Sequence, residues 1–307
     1  MSIYLIRRLL NAVFVVFGVV TLVFFVLRIL PGDPAYVLAG PTATQEEVDE
    51  LRRSLGLDQP AYVQYAIFLR QLAQGDLGKA TYFQSESALG LVLERMPATL
   101  ELVVPSLLIA VFLALVLGAI SALRNGSWLD ELLGVIALSA QAAPSFWIGP
   151  VFIIIFAREL GWLPTSGRGG FSYYVLPVIT LALPLFAVSM RLVRSGMIEN
   201  LHRDYVRMAR AKGLAESTII ARHVARNMLI PVVTYVGLQL GHLLSGAVIV
   251  ETVFAWPGVG RLLVDSIINR DYTVIQASVI VFAGLFVAVN LLVDLLYGWI
   301  DPRISYS

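Results

Sequence analysis

The chain has 307 residues, of which 58% are hydrophobic and only 14% charged, against about 45–50% and about 25% in ordinary soluble domains. A mean hydropathy of +0.80 over that length excludes a soluble enzyme and points to a chain that crosses a membrane several times. A net charge of +1 excludes a global basic field for nucleic acid, and the lack of cysteine excludes disulfides, thiolate metal sites and a cysteine nucleophile.

A helix needs about 20 apolar residues to cross a bilayer. Six uncharged runs meet that requirement, at 9–27, 102–123, 132–157, 171–190, 227–250 and 272–293. They are continuous rather than alternating, and an open sheet edge cannot survive in lipid, so all six read as helices. Arg7 and Arg8 precede the first run, which is longer than a signal-peptide core and leads into Pro31-Gly32-Asp33-Pro34. It reads as an uncleaved anchor, with Val37-Leu38-Ala39 a weak rival cleavage site. The segment 31–97 is expected to be a small helical cap. Thr44 and Glu47 have the spacing of a capping box, Gly56 and Gly75 stand where helices stop, and Pro60 suits a first turn. Tyr62, Tyr65, Leu69 and Leu72 form an apolar stripe at helical spacing, to be buried in the cap or rested on the membrane surface.

Pro144 and Pro150 are expected to break the third run, and Pro177 and Pro184 the fourth. The stretch 191–226 carries eight basic residues against Glu199, Asp204 and Glu216, whereas 31–97 has five basic and nine acidic. The excess of positive charge places the first stretch inside and the second outside, with both termini inside. Within the basic stretch Asp204 and Ser217 read as N-caps of two short helices and Gly213 as the joint between them. Ala209, Ala211, Ala215 and Ala221 would let a partner approach closely, while the arginines would meet carboxylates. The plainer alternative, that the arginines only set orientation, remains open for Arg191 and Arg194.

The fifth run carries Tyr235, Gln239, His242 and Gly246 on one face, with Gly237, Gly241 and Ser245 about 130° away. The first face suits a polar pathway and the second close helix packing, although Gln239 and His242 would serve equally as interhelical glue. Gln141, Ser145 and Trp147, around Pro144, are weaker pathway candidates. Glu101, Glu251 and Asp294 all fall near span ends rather than mid-span, a poor arrangement for a proton relay. The loop 251–273 is expected to fold back over the pathway mouth or to meet a partner outside the membrane, with simple interfacial anchoring by Trp256 and Tyr272 as the plainer alternative. His202, His223 and His242 are too scattered for a metal cluster, and no catalytic constellation is present.

The run Asp204-Tyr205-Val206-Arg207-Met208-Ala209-Arg210-Ala211-Lys212-Gly213-Leu214, followed by Arg226-Asn227-Met228-Leu229-Ile230-Pro231, resembles the ATPase-docking loop of ABC importer permeases. The peptide/nickel subfamily is the closer likeness, because the general loop motif has Glu-Ala-Ala where this chain has Arg207-Met208-Ala209, and a shorter gap to the proline. Leu30-Pro31-Gly32-Asp33-Pro34, Gly56-Leu57-Asp58-Gln59-Pro60, Gly75-Asp76-Leu77-Gly78, Phe254-Ala255-Trp256-Pro257-Gly258-Val259-Gly260-Arg261, Arg270-Asp271-Tyr272 and Asp301-Pro302-Arg303 extend the resemblance along nearly the whole chain.

It implies an all-α polytopic fold of the type I ABC importer permease kind, with six transmembrane helices and a small extracytoplasmic cap, in the cytoplasmic (inner) membrane. On this basis 1–30 is the first transmembrane helix and 31–97 the cap. Residues 98–300 are a five-helix core with a docking loop at 195–227, and 301–307 a cytoplasmic tail. Asp204, Tyr205, Arg207, Ala209, Ala211, Lys212, Gly213, Leu214, Glu216 and Ser217 would dock the ATPase. Implied partners are a second, homologous permease, two cytoplasmic ATPases and an extracytoplasmic binding protein. ATP and magnesium would sit on the ATPases, since this chain has no G-x-x-x-x-G-K-[ST] loop. Peptides are the expected cargo, with glutathione, nickel or another metal chelate as alternatives. A carrier driven by an ion gradient is the rival of a different class, and an intramembrane hydrolase the weakest.

Overall fold

The computed structural model describes residues 2–29, 34–40, 42–54, 56–80, 82 and 87–300. The stretches 30–33 and 301–303, which carry two of the motifs above, lie outside the described residues. The first helices are α1 (Ser2–Ile29), α2 (Pro34–Ala39), α3 (Gln45–Ser54), α4 (Ala61–Ala73) and α5 (Ala88–Leu123). There follow α6 (Trp128–Ala142), α7 (Ser145–Phe152) running on as a π-helix over Ile153–Glu159, and α8 (Ser172–Leu201). Next come α9 (Asp204–Ala211), the single turn α10 (Glu216–Thr218) with a π-helical Ile219–Val224, α11 (Ala225–Val253), α12 (Val259–Ile268) and α13 (Tyr272–Ile300).

Five stretches are each long and apolar enough to cross a membrane: Leu10–Ile29, Ala88–Leu123, Ser172–Leu201, Glu216–Val253 and Tyr272–Leu291. The sixth expected crossing is α6 and α7 taken together, bent by 109°. Ala143 at the bend is extended (ψ 123°), the conformation a following proline imposes. The expected break at Pro177 and Pro184 is absent, since α8 runs unbroken through both. Each proline removes one ladder bond, but bonds above and below persist and Pro177 is buried among neighbours.

The chain divides into two compact units. The first contains residues 1–99 and 257–292. Thr44 and Glu47 do form a capping box: the Thr44 N–H donates to Glu47 Oε2 (2.8 Å) and the Glu47 N–H to Thr44 Oγ1 (3.4 Å). Pro60 is the cap residue of α4 rather than part of its first turn. Of the tyrosine–leucine stripe, Tyr65 packs on α1, its hydroxyl 2.6 Å from that of Thr21 and its ring edge-on to Phe24, while Tyr62 stays exposed. A second core joins Leu77, Ala88, Val92, Val259, Leu262 and Val274.

Two of the family motifs meet in that core. Asp271 accepts the Tyr82 N–H (2.9 Å) and, capping α13, the Val274 N–H (3.2 Å). Gly78 takes φ +83°, and a Cβ there would lie 2.8 Å from Thr273 Cγ2, so a larger residue would be strained and would push Thr273 aside. Asp271→Ala is expected to cost about 1–3 kcal/mol. It should also speed amide exchange at Tyr82 and Val274, read by hydrogen-exchange mass spectrometry of the intact protein.

The second unit contains residues 100–256 and 293–300. Its centre is α8, packed against α6, α7 and α11. α5 also approaches α8 closely, because a Cβ on Gly118 would meet the Met190 carbonyl and Val193 at 2.8 Å. The Ser106 hydroxyl lies between the Leu102 carbonyl of its own helix (2.7 Å) and the Val178 carbonyl of α8 (3.1 Å), so that polar group is not left bare in an apolar interior.

Candidate functional site

Both candidate regions lie in the second unit. The arginine-rich connector begins where α8 ends and is built on one hydrophobic cluster. Val206 and Ala209 of α9 are buried with Val193 and Met197 of α8, Ile219 and Val224 of the π-helical turn, and Met228 and Val232 of α11. Ala209 therefore faces inward and is not on the surface a partner would meet. Tyr205 is half-buried, its hydroxyl donating to Asn200 Oδ1 (2.7 Å). Asp204, Arg207, Ala211, Lys212, Gly213, Leu214, Glu216 and Ser217 are exposed.

The two expected caps are not formed. Arg203 occupies the cap position of α9 (φ −72°, ψ 151°) and Asp204 is the first helical residue. There its carboxylate still opposes the positive helix end and lies 3.6 Å from Arg207. Ala215 is the extended residue before α10, which leaves Ser217 inside the turn. Gly213 does end α9 in the left-handed region (φ +76°), with Gly213 N–H bonded to the Arg210 carbonyl (2.9 Å) and Leu214 N–H to that of Ala209 (3.3 Å). Arg210 spans the joint to Glu216 with bonds of 2.6 and 3.3 Å.

Tyr235, Gln239 and His242 of α11 and Ser145 at the start of α7 line one cavity of about 150 Å³. Leu181, Pro184 and Leu185 of α8 complete it, with Leu243 and Gly246. Gln141 is elsewhere: its Oε1 accepts Arg191 Nη1 at 2.8 Å. Gly237 and Gly241 are buried as a packing face requires, whereas Ser245 is exposed and bonds back to the Gly241 carbonyl (3.2 Å). Trp147 is exposed.

Two polar clusters escaped the sequence reading. At one end of the unit Glu101 receives two bonds from Arg168 (2.6 and 3.0 Å) and one from the Tyr174 hydroxyl (3.0 Å). The carboxylate raises the Arg168 pKa above its usual value. Tyr174 then packs edge-on to the fully buried Trp256 (4.8 Å), and the Gly167 N–H reaches the Phe254 carbonyl (2.9 Å). In the second cluster Arg194 grips the buried Asp130 with two bonds, of 2.6 and 2.7 Å. Arg194 was therefore more than an orientation signal. Glu251 is buried, and the side chain of Asp294 lies outside the described residues. Among the described residues no group of histidines and carboxylates could hold a metal ion.

The family described as "Binding-protein-dependent transport system inner membrane component" matches residues 114–306, and its N-terminal counterpart matches residues 1–107. The chain belongs to that family. The glutathione transport system permease protein GsiC of Escherichia coli O6:H1 (strain CFT073) is 44% identical over 304 residues, covering 99% of each chain. GsiC of Escherichia coli K12 is 43% identical over the same share. Among solved structures the MetNI methionine ABC transporter, in an inward-facing conformation, superposes with a TM-score of 0.59 at 16% identity, over 69% of this chain and 96% of that one. An amino acid ABC transporter crystallised with histidines gives 0.50 at 15%, over 70% and 94%. The likeness at such low identity is one of fold, that of type I ABC importer permeases. This permease is thus a multi-pass inner-membrane subunit of an ABC importer, and the permease fold rather than an ion-driven carrier accounts for its helices.

Proposed function

We propose that the permease forms half of an inward pathway for short peptides of the glutathione class, powered by ATP hydrolysis on separate subunits. The observation that carries the substrate is the 43–44% identity to glutathione permeases over 99% of the chain. Glutathione is itself a tripeptide, so this narrows the peptide expectation rather than replacing it. The arginine-rich connector faces the cytoplasm, as do both termini, and docks one ATPase through its exposed residues around Gly213.

A second permease would close the pathway. A cavity of about 150 Å³ holds roughly five waters at about 30 Å³ each, and small-ligand pockets run to about 300–1,000 Å³. His242 lies exposed on α11, a polar group costly against lipid and suited to a facing subunit. The binding protein would present substrate at the opposite end from the connector.

The test is uptake of labelled glutathione by cells carrying the whole transporter with and without this chain. Saturable, ATP-dependent uptake that unlabelled glutathione outcompetes is expected. Uptake of a dipeptide or nickel chelate that glutathione does not inhibit would overturn the substrate class. Uptake abolished by a protonophore while ATP is held constant would overturn the ATP-driven reading. Gln239→Leu combined with His242→Ala should cut uptake about tenfold, the loss of about 1.4 kcal/mol of polar contact. The amount of assembled complex should stay unchanged.

A further inference from the structure

Asp130 is buried, and a carboxylate has room for about four hydrogen bonds. All four are made. Arg194 supplies two through Nε (2.6 Å) and Nη2 (2.7 Å), Ser121 Oγ a third (2.5 Å) and the Gly126 N–H the fourth (3.0 Å). Asn125 Oδ1 also accepts from Arg194 Nη2 (2.9 Å). The network joins the end of α5, the turn after it, the first turn of α6 and the lower part of α8. Three turns further along α6, Gln141 takes its bond from Arg191, so α6 is tied to α8 at two levels.

The same stretch of α8 carries the connector. Val193 and Met197 flank Arg194 in sequence and are packed with Val206 and Ala209 of α9. On the other side, α6 ends at the bend before Ser145, which lines the cavity. A helix held by apolar contacts alone can slide or rotate, whereas a satisfied bidentate pair fixes distance and angle together. We infer that Asp130 and Arg194 are positioning residues: they make α6 travel with the connector, so that connector movement reaches Ser145 and the cavity wall. This rests on the reading of the connector as the ATPase dock.

The test uses the complete transporter, with its ATPases and binding protein, reconstituted in vesicles. Asp130→Asn keeps the shape of the side chain, and Arg194→Lys keeps the charge but loses the fork. Both variants are expected to hydrolyse ATP within about twofold of the unaltered transporter while importing about tenfold less substrate per ATP, the effect of losing about 1.4 kcal/mol of coupling. A merely structural staple would lower complex yield and leave that ratio alone, and an unchanged ratio in assembled variants overturns the inference.

Should a variant fail to assemble, the otherwise native transporter still decides. The chain has no cysteine, so spin labels at Glu131→Cys and His202→Cys report the distance from α6 to the start of the connector. That distance is expected to be the same in the nucleotide-free and vanadate-trapped complexes, and a change on trapping overturns the inference. If substrate fails to stimulate ATP hydrolysis in the unaltered transporter, the docking reading falls and this inference with it.

Discussion

Replacing Gly213 by valine is expected to lower substrate-stimulated ATP hydrolysis roughly 5- to 30-fold while the chain still inserts and assembles. Gly213 sits at φ +76°, and a Cβ there would meet nothing within 4 Å. The penalty is therefore one of backbone alone. A side chain in the left-handed region costs about 1–2 kcal/mol, and that range corresponds to the quoted factor in the population of the native turn. The cluster beneath the turn, with Val206, Ala209 and Ile219, does not depend on the glycine, so folding is spared. Gly213→Asn should be nearly silent, because asparagine tolerates this region. ATPase assays on purified complexes check the series. Coupled transport at normal rates in the valine variant would sink the assignment of this turn to ATPase docking.

Trp256→Ala is expected to be the most destabilising single change in the second unit, at about 3–5 kcal/mol. Trp256 is fully buried and packs edge-on to Tyr174, whose hydroxyl holds Glu101. The adjacent Glu101–Arg168 pair looks stronger on bond lengths alone, but its side chains are 35% and 43% exposed, and exposed ion pairs contribute about 0–1 kcal/mol. Packing should therefore win. Glu101→Gln should barely shift the melting temperature in detergent, whereas Trp256→Ala should lower it clearly and open the 160–171 loop to protease. Equal shifts for the two variants would show that the ion pair, not the indole, secures this end.

Composition and the length of uncharged runs were enough to place five crossings as single helices, because exclusion of charge from hydrocarbon acts on every residue of a span, whereas the run 132–157 is a helix pair bent by 109°. The cavity-lining face of α11 was legible for a similar reason: Tyr235, Gln239 and His242 share a helix, so periodicity alone brings them together. Glycine joints at Gly56, Gly75 and Gly213 were legible too, since all three take positive φ. What one-dimensional spacing could not supply was partnership across helices. Asp130 meets Arg194 over 64 residues and Glu101 meets Arg168 over 67. The available signal was that Asp130 and Arg194 each lie near a span end on the same predicted side. Caps failed at Asp204 and Ser217 because a cap is set by which residue takes extended backbone, and Arg203 and Ala215 do so. The place of Gln141 just before Pro144 points to the pathway, but a nearby arginine claims its side chain.

The π-helical turn at Ile219–Val224 has a consequence for register. Its backbone closes five residues back, as in the Ala225 N–H bond to the Ile220 carbonyl, so it holds one residue more than an α-helix would. One residue is about 100° of rotation. Everything downstream on α11, including Tyr235, Gln239 and His242, is therefore clocked by that extra residue relative to the connector. Deleting a single residue between 219 and 224 would remove the surplus and keep the lining stripe in place, whereas drawing the turn into α-helix at its full length would swing the stripe away from the cavity. No functional side chain would have changed, yet the two ends of the permease would be out of phase.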